Sequence, residues 1–189
     1  MAAQNGSEYE AALDLGASMT DRGRFHDAVE PLLRAAALGA TAPQSRAAAT
    51  ALLRLGMGLG ERHGFVDALR VDRRAAAMFA ELGDEEAELQ CRFLMGVCEW
   101  QLNAFESAIQ VFETVAESAS NSTRSADKTV FRSLAVLSIS CILVDHLRQY
   151  RRAVPYATEA ARLFRSAGNE EQAAHALRHL DEARRGGNA

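Results

Sequence analysis

The sequence predicts an all-α fold made of repeated helix pairs, and three observations lead to this prediction. The 189-residue chain is rich in alanine, leucine, arginine and glutamate, which are strong helix formers, and it contains only three prolines. No segment shows the alternation of β-branched and polar residues that is typical of a strand. A motif of the form aromatic-x-x-Ala recurs at regular intervals of 40, 40 and 45 residues, beginning at Phe25, Phe65, Phe105 and Tyr150. Repetition at a period of about 40 residues is typical of helical repeat proteins.

Each repeat also has a small residue nine positions before its aromatic residue: Gly16, Gly56, Gly96 and, in the fourth repeat, Cys141. Two helices approach closely only where their side chains are small, so we expect this residue and the alanine of the motif to lie at a helix crossing. The aromatic residue then fills the wedge that the turn opens. Since one helix pair cannot bury both of its faces, successive pairs are expected to stack.

The first two repeats each predict two helices. Apolar residues recur at every third or fourth position over residues 8–21 and 25–39, on the two sides of a turn at Gly23. The same spacing predicts helices over residues 43–62 and 65–82, which are separated by a histidine and a glycine.

The third and fourth repeats follow the same plan with a longer interval between them. Apolar spacing predicts helices over residues 84–102 and 105–119, and then over residues 125–147 and 150–167. The stretch 118–128 is rich in serine, threonine and asparagine, so we predict a longer loop there that holds the extra residues of this interval.

A ninth helix, over residues 169–185, is predicted to cap the last pair with its charged face. Gly83 and Gly168 are predicted helix C-caps, and Asp84 and Asn169, which follow them, are predicted N-caps. We therefore predict one repeat domain over residues 8–185, between tails 1–7 and 186–189, with units at about 8–42, 43–83, 84–124 and 125–168 and the capping helix at 169–185.

These repeats resemble tetratricopeptide repeats, in which a glycine eight residues into the first helix is followed by an aromatic residue and an alanine at the spacing seen here. All four units match, apart from Cys141 at the glycine position, although the usual proline at the end of the second helix is absent. The long period and the Gly-Asp or Gly-Asn junction resemble the repeats of kinesin light chains, LGN-type adaptors, Rap regulators and MalT-like activators. The resemblance implies a right-handed α-solenoid of four antiparallel helix pairs plus a C-terminal capping helix.

The resemblance also implies that the first helices line a concave groove. Counting from the family pattern, the apolar side chains in the middle of this groove are the following partner-binding candidates: Leu53, Met57, Phe93, Val97, Trp100 and Ile142. The groove positions lack the asparagine, lysine and arginine residues with which some family members bind acidic peptide tails. An apolar groove suits an amphipathic or hydrophobic segment. Two alternatives stay open: the protein's own core buries these side chains, or two copies of the chain pair through them.

Several other functions are disfavoured by the sequence. The net charge of −4 argues against a direct nucleic-acid binder, and three cysteines without a CxxC pair argue against a disulfide framework. The N-terminus lacks a secretory signal, and the apolar run 134–144 is short for a membrane span, so we expect a cytoplasmic location. His175 and His179 lie four residues apart and could share a metal, but no third ligand accompanies them in the sequence, so we assign no metal site.

The sequence thus predicts a bacterial protein-interaction module, an adaptor or regulator that binds a protein or peptide and needs no cofactor. No nucleophile elbow, P-loop or dinucleotide-binding turn is present, so we expect no enzymatic activity. A homo-oligomeric scaffold, such as a homodimer, is one alternative. A sensory or regulatory segment of a transcription or signalling system is another.

Overall fold

A computed structural model describes residues 2–121 and 126–187 of the chain, with side chains for residues 6–120 and 129–187. Within these ranges the secondary structure is helical throughout, and the predicted all-α fold of helix pairs is confirmed. The elements, in order, are α1 (Ala2–Asp21), α2 (Phe25–Leu38), α3 (Ala42–Glu61), α4 (Phe65–Glu81), α5 (Glu85–Gln101), α6 (Phe105–Asn121), α7 (Ala126–Cys141), a π-helical segment (Ile142–His146), α8 (Tyr150–Ser166) and α9 (Glu170–Gly186).

The helix boundaries differ from the predictions in three places. Helix α1 begins at Ala2 instead of residue 8, where alanines favour a helix. Helix α6 continues to Asn121 through residues predicted to be a loop, and the Ser120 hydroxyl donates to the Ala116 carbonyl at 2.6 Å, a bond that a serine can make inside a helix. Of the remaining predicted loop, residues 122–125 lie outside the described part of the chain. The last turn of the predicted helix 125–147 is a π-helix.

The turn inside each helix pair contains a residue in the left-handed backbone region. Gly23, His63, Asn103 and Arg148 occupy equivalent positions, two residues before the aromatic residue, with φ between 52° and 72°. The junctions between pairs behave as predicted. Gly83 and Gly168 have φ of 68° and 73°, and the Asp84 and Asn169 side chains that follow accept hydrogen bonds from backbone N–H groups of α5 and α9.

The helices form two compact units, Met1–Leu102 with α1 to α5 and Asn103–Ala189 with α6 to α9. In the first unit each helix packs against the next one and also against the next but one, as expected for stacked pairs. In the second unit α7 packs against α6 and α8, and α9 packs against α8, α7 and the π-helical segment. The division into a single repeat domain with two short tails stays a prediction.

Gly16 and Gly56, which precede the aromatic residues of the first two repeats, lie at close helix contacts, as predicted from their size. A Cβ atom on Gly16 would come within 2.5 Å of the Leu32 side chain on α2. The alanine of the motif, Ala28, is also fully buried. The residue that faces the glycine, however, is the one seven positions after the aromatic residue, and in the second repeat that residue is Asp72.

One helical stretch of the second unit is longer than the apolar run considered in the sequence. By length and composition alone, Thr129–His146 could cross a membrane, and 61% of it is buried in the structure. The expectation that the apolar run is too short therefore does not hold for this longer helical stretch. The core helix of a folded unit has the same composition, so this property does not by itself indicate a membrane.

Candidate functional site: the apolar face of α3 and α5

Five of the six predicted partner-binding residues lie in the first unit, on two helices that pack together. Leu53 and Met57 lie on α3, and Phe93, Val97 and Trp100 lie on α5. None of these five side chains is fully buried, and Met57 is 44% exposed. Leu53 also packs against the core of the unit. We call these five residues the α3–α5 face.

The sixth predicted residue, Ile142, is in the second unit and has a different environment. It is fully buried at the start of the π-helical segment, against which α9 packs. A partner could contact this side chain only if the unit opened. Ile142 therefore follows the alternative in which the protein's own core buries a predicted groove residue. It is not part of the α3–α5 face.

A cavity of about 430 Å³ opens beside the α3–α5 face, between α3, α4 and α5. Met57 and Val97 belong both to the face and to the lining of the cavity. The other lining residues come from the three helices and from the turn between α3 and α4: Gly56, Gly60, Glu61, His63, Phe65, Asp72, Leu94, Cys98 and Gln101. The side chains of the face and of the cavity therefore form one continuous, largely apolar surface.

Asp72 is the unusual member of this lining. Its side chain is fully buried, and neither carboxyl oxygen has a hydrogen-bond partner among the described residues. Burial raises the pKa of Asp72 from 3.8 to about 8, because a low-dielectric environment disfavours the charged form. A buried polar group without a partner destabilises a fold, so its presence requires an explanation outside packing.

The other repeats show that the fold does not need a carboxyl group at this position. The equivalent residues, seven positions after each aromatic residue, are Leu32, Phe112 and Ala157, and all three are buried and apolar. Asp72 is not among the functional residues predicted from the sequence. Comparing this position between the four repeats would have identified it, because only the second repeat has a charged residue there.

The two cysteines of α5 lie close to this carboxyl group but are not set up for chemistry. Both are buried free thiols, and Cys98 lines the cavity. Burial, with a smaller contribution from the nearby Asp72 carboxylate, raises the pKa of each thiol to about 12. Since the thiolate is the nucleophilic form, neither cysteine is activated as a nucleophile, and both pack as small apolar side chains.

The lining has an electrostatic preference that follows from its charged residues. Asp72 and Glu61 contribute carboxyl groups, and the described residues of the lining include neither lysine nor arginine. A hydrogen-bond donor that entered the cavity would satisfy the oxygens of Asp72, and a cationic donor would also favour the ionised carboxylate. The arrangement can therefore bind an apolar group that has a positively charged end.

Comparison with known proteins shows which solved structures have a similar fold. No protein-family model matches the chain, and no curated protein sequence matches it. Among solved structures, the apo form of RapI superimposes with a TM-score of 0.50 and 15% identity, over 98% of this chain and 54% of RapI. TPR-like repeats of a kinesin light chain from Podospora anserina give a TM-score of 0.46, with 15% identity over 92% of this chain and 93% of theirs. PilF from Pseudomonas aeruginosa gives 0.43, with 15% identity over 92% of this chain and 90% of its own.

Together with the observed helix pairs, the likeness to RapI shows that the chain has a tetratricopeptide-like helical repeat fold. The chain spans about half the length of RapI.

Proposed function

We propose that the chain is a protein-interaction module whose α3–α5 face binds an amphipathic segment of a partner protein. The observation that most supports this proposal is the continuity between the partly exposed apolar face and the cavity that Asp72 lines. Apolar grooves of helical proteins bind amphipathic helices or extended segments through a few anchoring side chains. Trp100, the chain's only tryptophan, lies on the face, and tryptophan is enriched at such anchoring positions.

The chemistry of the site suggests what the partner segment contains. Its apolar side chains would cover Met57, Phe93 and Trp100. A lysine or arginine side chain next to them would extend into the cavity and donate to Asp72, whose oxygens lack a partner. This arrangement fits a binding role better than catalysis, because burial suppresses the ionisation of the Cys91 and Cys98 thiols, the potential nucleophiles nearby.

The proposal predicts a specific loss of affinity when the face is truncated. Short random peptides would be selected by display against the purified chain, and the affinity of a selected peptide would be measured by fluorescence anisotropy. We expect Trp100→Ala and Phe93→Ala each to weaken binding about ten-fold or more, because each removes a large buried contact. Asp72→Asn should weaken the binding of peptides that contain lysine or arginine more than that of peptides that contain neither.

Val66→Ala is the matched control, since Val66 is 69% exposed on α4 and lies outside the face. It should leave the affinity unchanged, and circular dichroism should show that all variants keep their helicity. Selected peptides that bind Trp100→Ala and Phe93→Ala as tightly as the wild type would contradict the proposal. Light scattering over a range of concentrations tests the alternative of a homo-oligomeric scaffold, which requires a mass above that of the monomer.

A further inference from the structure

The second unit brings together three side chains with the chemistry of a metal site. Cys141 ends α7, and His175 and His179 lie one turn apart on α9. The Cys141 Sγ atom is 3.4 Å from His179 Nε2, and His179 Nε2 is 3.1 Å from His175 Nε2. The ligand atoms of all three residues lie within 4.8 Å of one another. The two histidines are a recognisable pair in the sequence, whereas Cys141 stands out there only as an irregular repeat position, because it approaches them only in the folded unit.

Two of the three distances between these ligand atoms match those expected around one tetrahedral ion. With Zn–S near 2.3 Å and Zn–N near 2.0 Å, a tetrahedral centre places its sulfur and nitrogen ligands about 3.5 Å apart and two nitrogens about 3.3 Å apart. Both measured distances to His179 are within a few tenths of an ångström of these values. His175 is only partly buried, so a small rotation of its ring can bring it towards Cys141.

The surroundings of His179 also suit a metal ligand. Its Nδ1 atom is buried without a hydrogen-bond partner in the part of the chain that the structure describes, and the Asp145 carboxylate lies 3.8 Å from it. Metal-bound histidines commonly donate their other ring N–H to a carboxylate, which fixes the tautomer and the ring orientation. Asp145 belongs to the π-helical segment that follows Cys141, and π-helical turns are frequent at functional sites. The positive charge of Arg178, which precedes His179 on α9, lies close enough to His175 to disfavour a second positive charge there.

Cys141 differs in residue type from the residues at the equivalent position of the other repeats. The first three repeats have glycine at the position of Cys141, and the histidine pair belongs to α9, which follows the last repeat. The fourth repeat therefore departs from the glycine pattern at the one position that lies next to the two imidazoles of the capping helix α9. Thiolate and imidazole together favour zinc among the common divalent ions.

We propose that Cys141, His175 and His179 bind one divalent transition-metal ion, preferably Zn²⁺, with a fourth position for water. Asp145 would orient His179 without binding the ion. Such a site would connect α9 to the end of α7, and the ion would stabilise the second unit.

Titration of the untagged, metal-free chain with Co²⁺ tests this proposal, because thiolate-bound tetrahedral cobalt has strong visible bands and a sulfur-to-metal charge-transfer band. We expect saturation at one ion per chain. Cys141→Ser should abolish the charge-transfer band, and His175→Gln should weaken Co²⁺ binding about ten-fold or more. Asp145→Asn should weaken it by about ten-fold while keeping the band, as expected for a residue that positions a ligand. Excess Zn²⁺ should displace the cobalt.

Cys98→Ser is the matched control, since Cys98 is also a buried thiol but lies in the first unit. It should bind Co²⁺ like the wild type. Circular dichroism would show that Cys141→Ser remains folded, and His175→Gln, at a half-buried position, gives an independent test. The proposal is overturned if the wild type shows no saturable cobalt binding, if the charge-transfer band survives in Cys141→Ser, or if Cys98→Ser loses it equally.

Discussion

Asp72→Asn is expected to stabilise the first unit at neutral pH and to remove much of its pH dependence. In the folded protein the pKa of Asp72 is raised from 3.8 to about 8. Between these two values the unfolded chain loses the proton while the folded chain keeps it. The free energy of unfolding therefore falls as pH rises from about 4 to about 8, by up to about 1.4 kcal/mol per pH unit. Asparagine has a similar shape and does not ionise, so it avoids this loss.

We expect Asp72→Asn to match the wild type near pH 4 and to be more stable by on the order of 3 kcal/mol at pH 7. The fluorescence of Trp100 reports unfolding of the first unit, because it is the chain's only tryptophan and lies on α5. Asp14→Asn on the exposed side of α1 is the control, and it should leave the unfolding curve almost unchanged at every pH. Equal stabilities of Asp72→Asn and wild type at pH 7 would show that Asp72 has a partner in solution.

Gly56→Ala is expected to destabilise the first unit strongly, although alanine is the better helix former. A Cβ atom on Gly56 would lie 1.9 Å from Asp72 Oδ1 and 2.7 Å from its Cγ. The Asp72 side chain is short and enclosed, so α3 and α4 must separate or the carboxyl group must leave its position. Overpacking typically costs about 1–3 kcal/mol, and because this carboxyl group is enclosed we expect the upper part of that range, which exceeds the gain of about 1 kcal/mol in helix propensity.

Gly60→Ala provides a control on the same helix, because a Cβ atom there meets nothing within 4 Å. It should be neutral or slightly stabilising. Adding Asp72→Ala to Gly56→Ala should restore much of the lost stability, since the enclosed carboxyl group is then absent. A double-mutant cycle, followed by urea unfolding, should give a coupling of about 1 kcal/mol or more between the two positions. If Gly56→Ala unfolds at the same urea concentration as Gly60→Ala, the close contact does not exist in solution.

The helix pairs were predictable because each has a local signature. The aromatic-x-x-Ala motif sets the start of every second helix, and Gly83 with Asp84 shows where one helix ends and the next begins. The apolar character of Met57 and Trp100 was equally visible from the repeat count. These features depend on residues that are close in sequence, where spacing and backbone preference determine the outcome.

The functional chemistry was less predictable, because it depends on contacts between separate helices. An aspartate on an amphipathic helix normally faces solvent, so a comparison of the repeats can mark Asp72 as irregular, but only the folded unit shows that its oxygens are buried without described partners. The repeat count assumed regular α-helix through residue 147. It could not foresee the π-helical segment, in which Ile142 is fully buried, or the packing of α9 against that segment. Cys141 and the two histidines lie on separate helices, so their proximity was not visible in the sequence either, and Cys141 was noted only as an irregular repeat position.

The central claim is that a partner segment binds the α3–α5 face, and methionine methyl NMR tests it most directly. Among the chain's five methionines, Met57 lies on the face, Met78 is buried in α4, and Met19 lies on α1. Titration of the labelled chain with a selected peptide should shift the Met57 methyl resonance in a saturable way, while those of Met19 and Met78 stay nearly unchanged. A peptide that binds and shifts Met19 or Met78 but leaves Met57 unchanged would contradict the account.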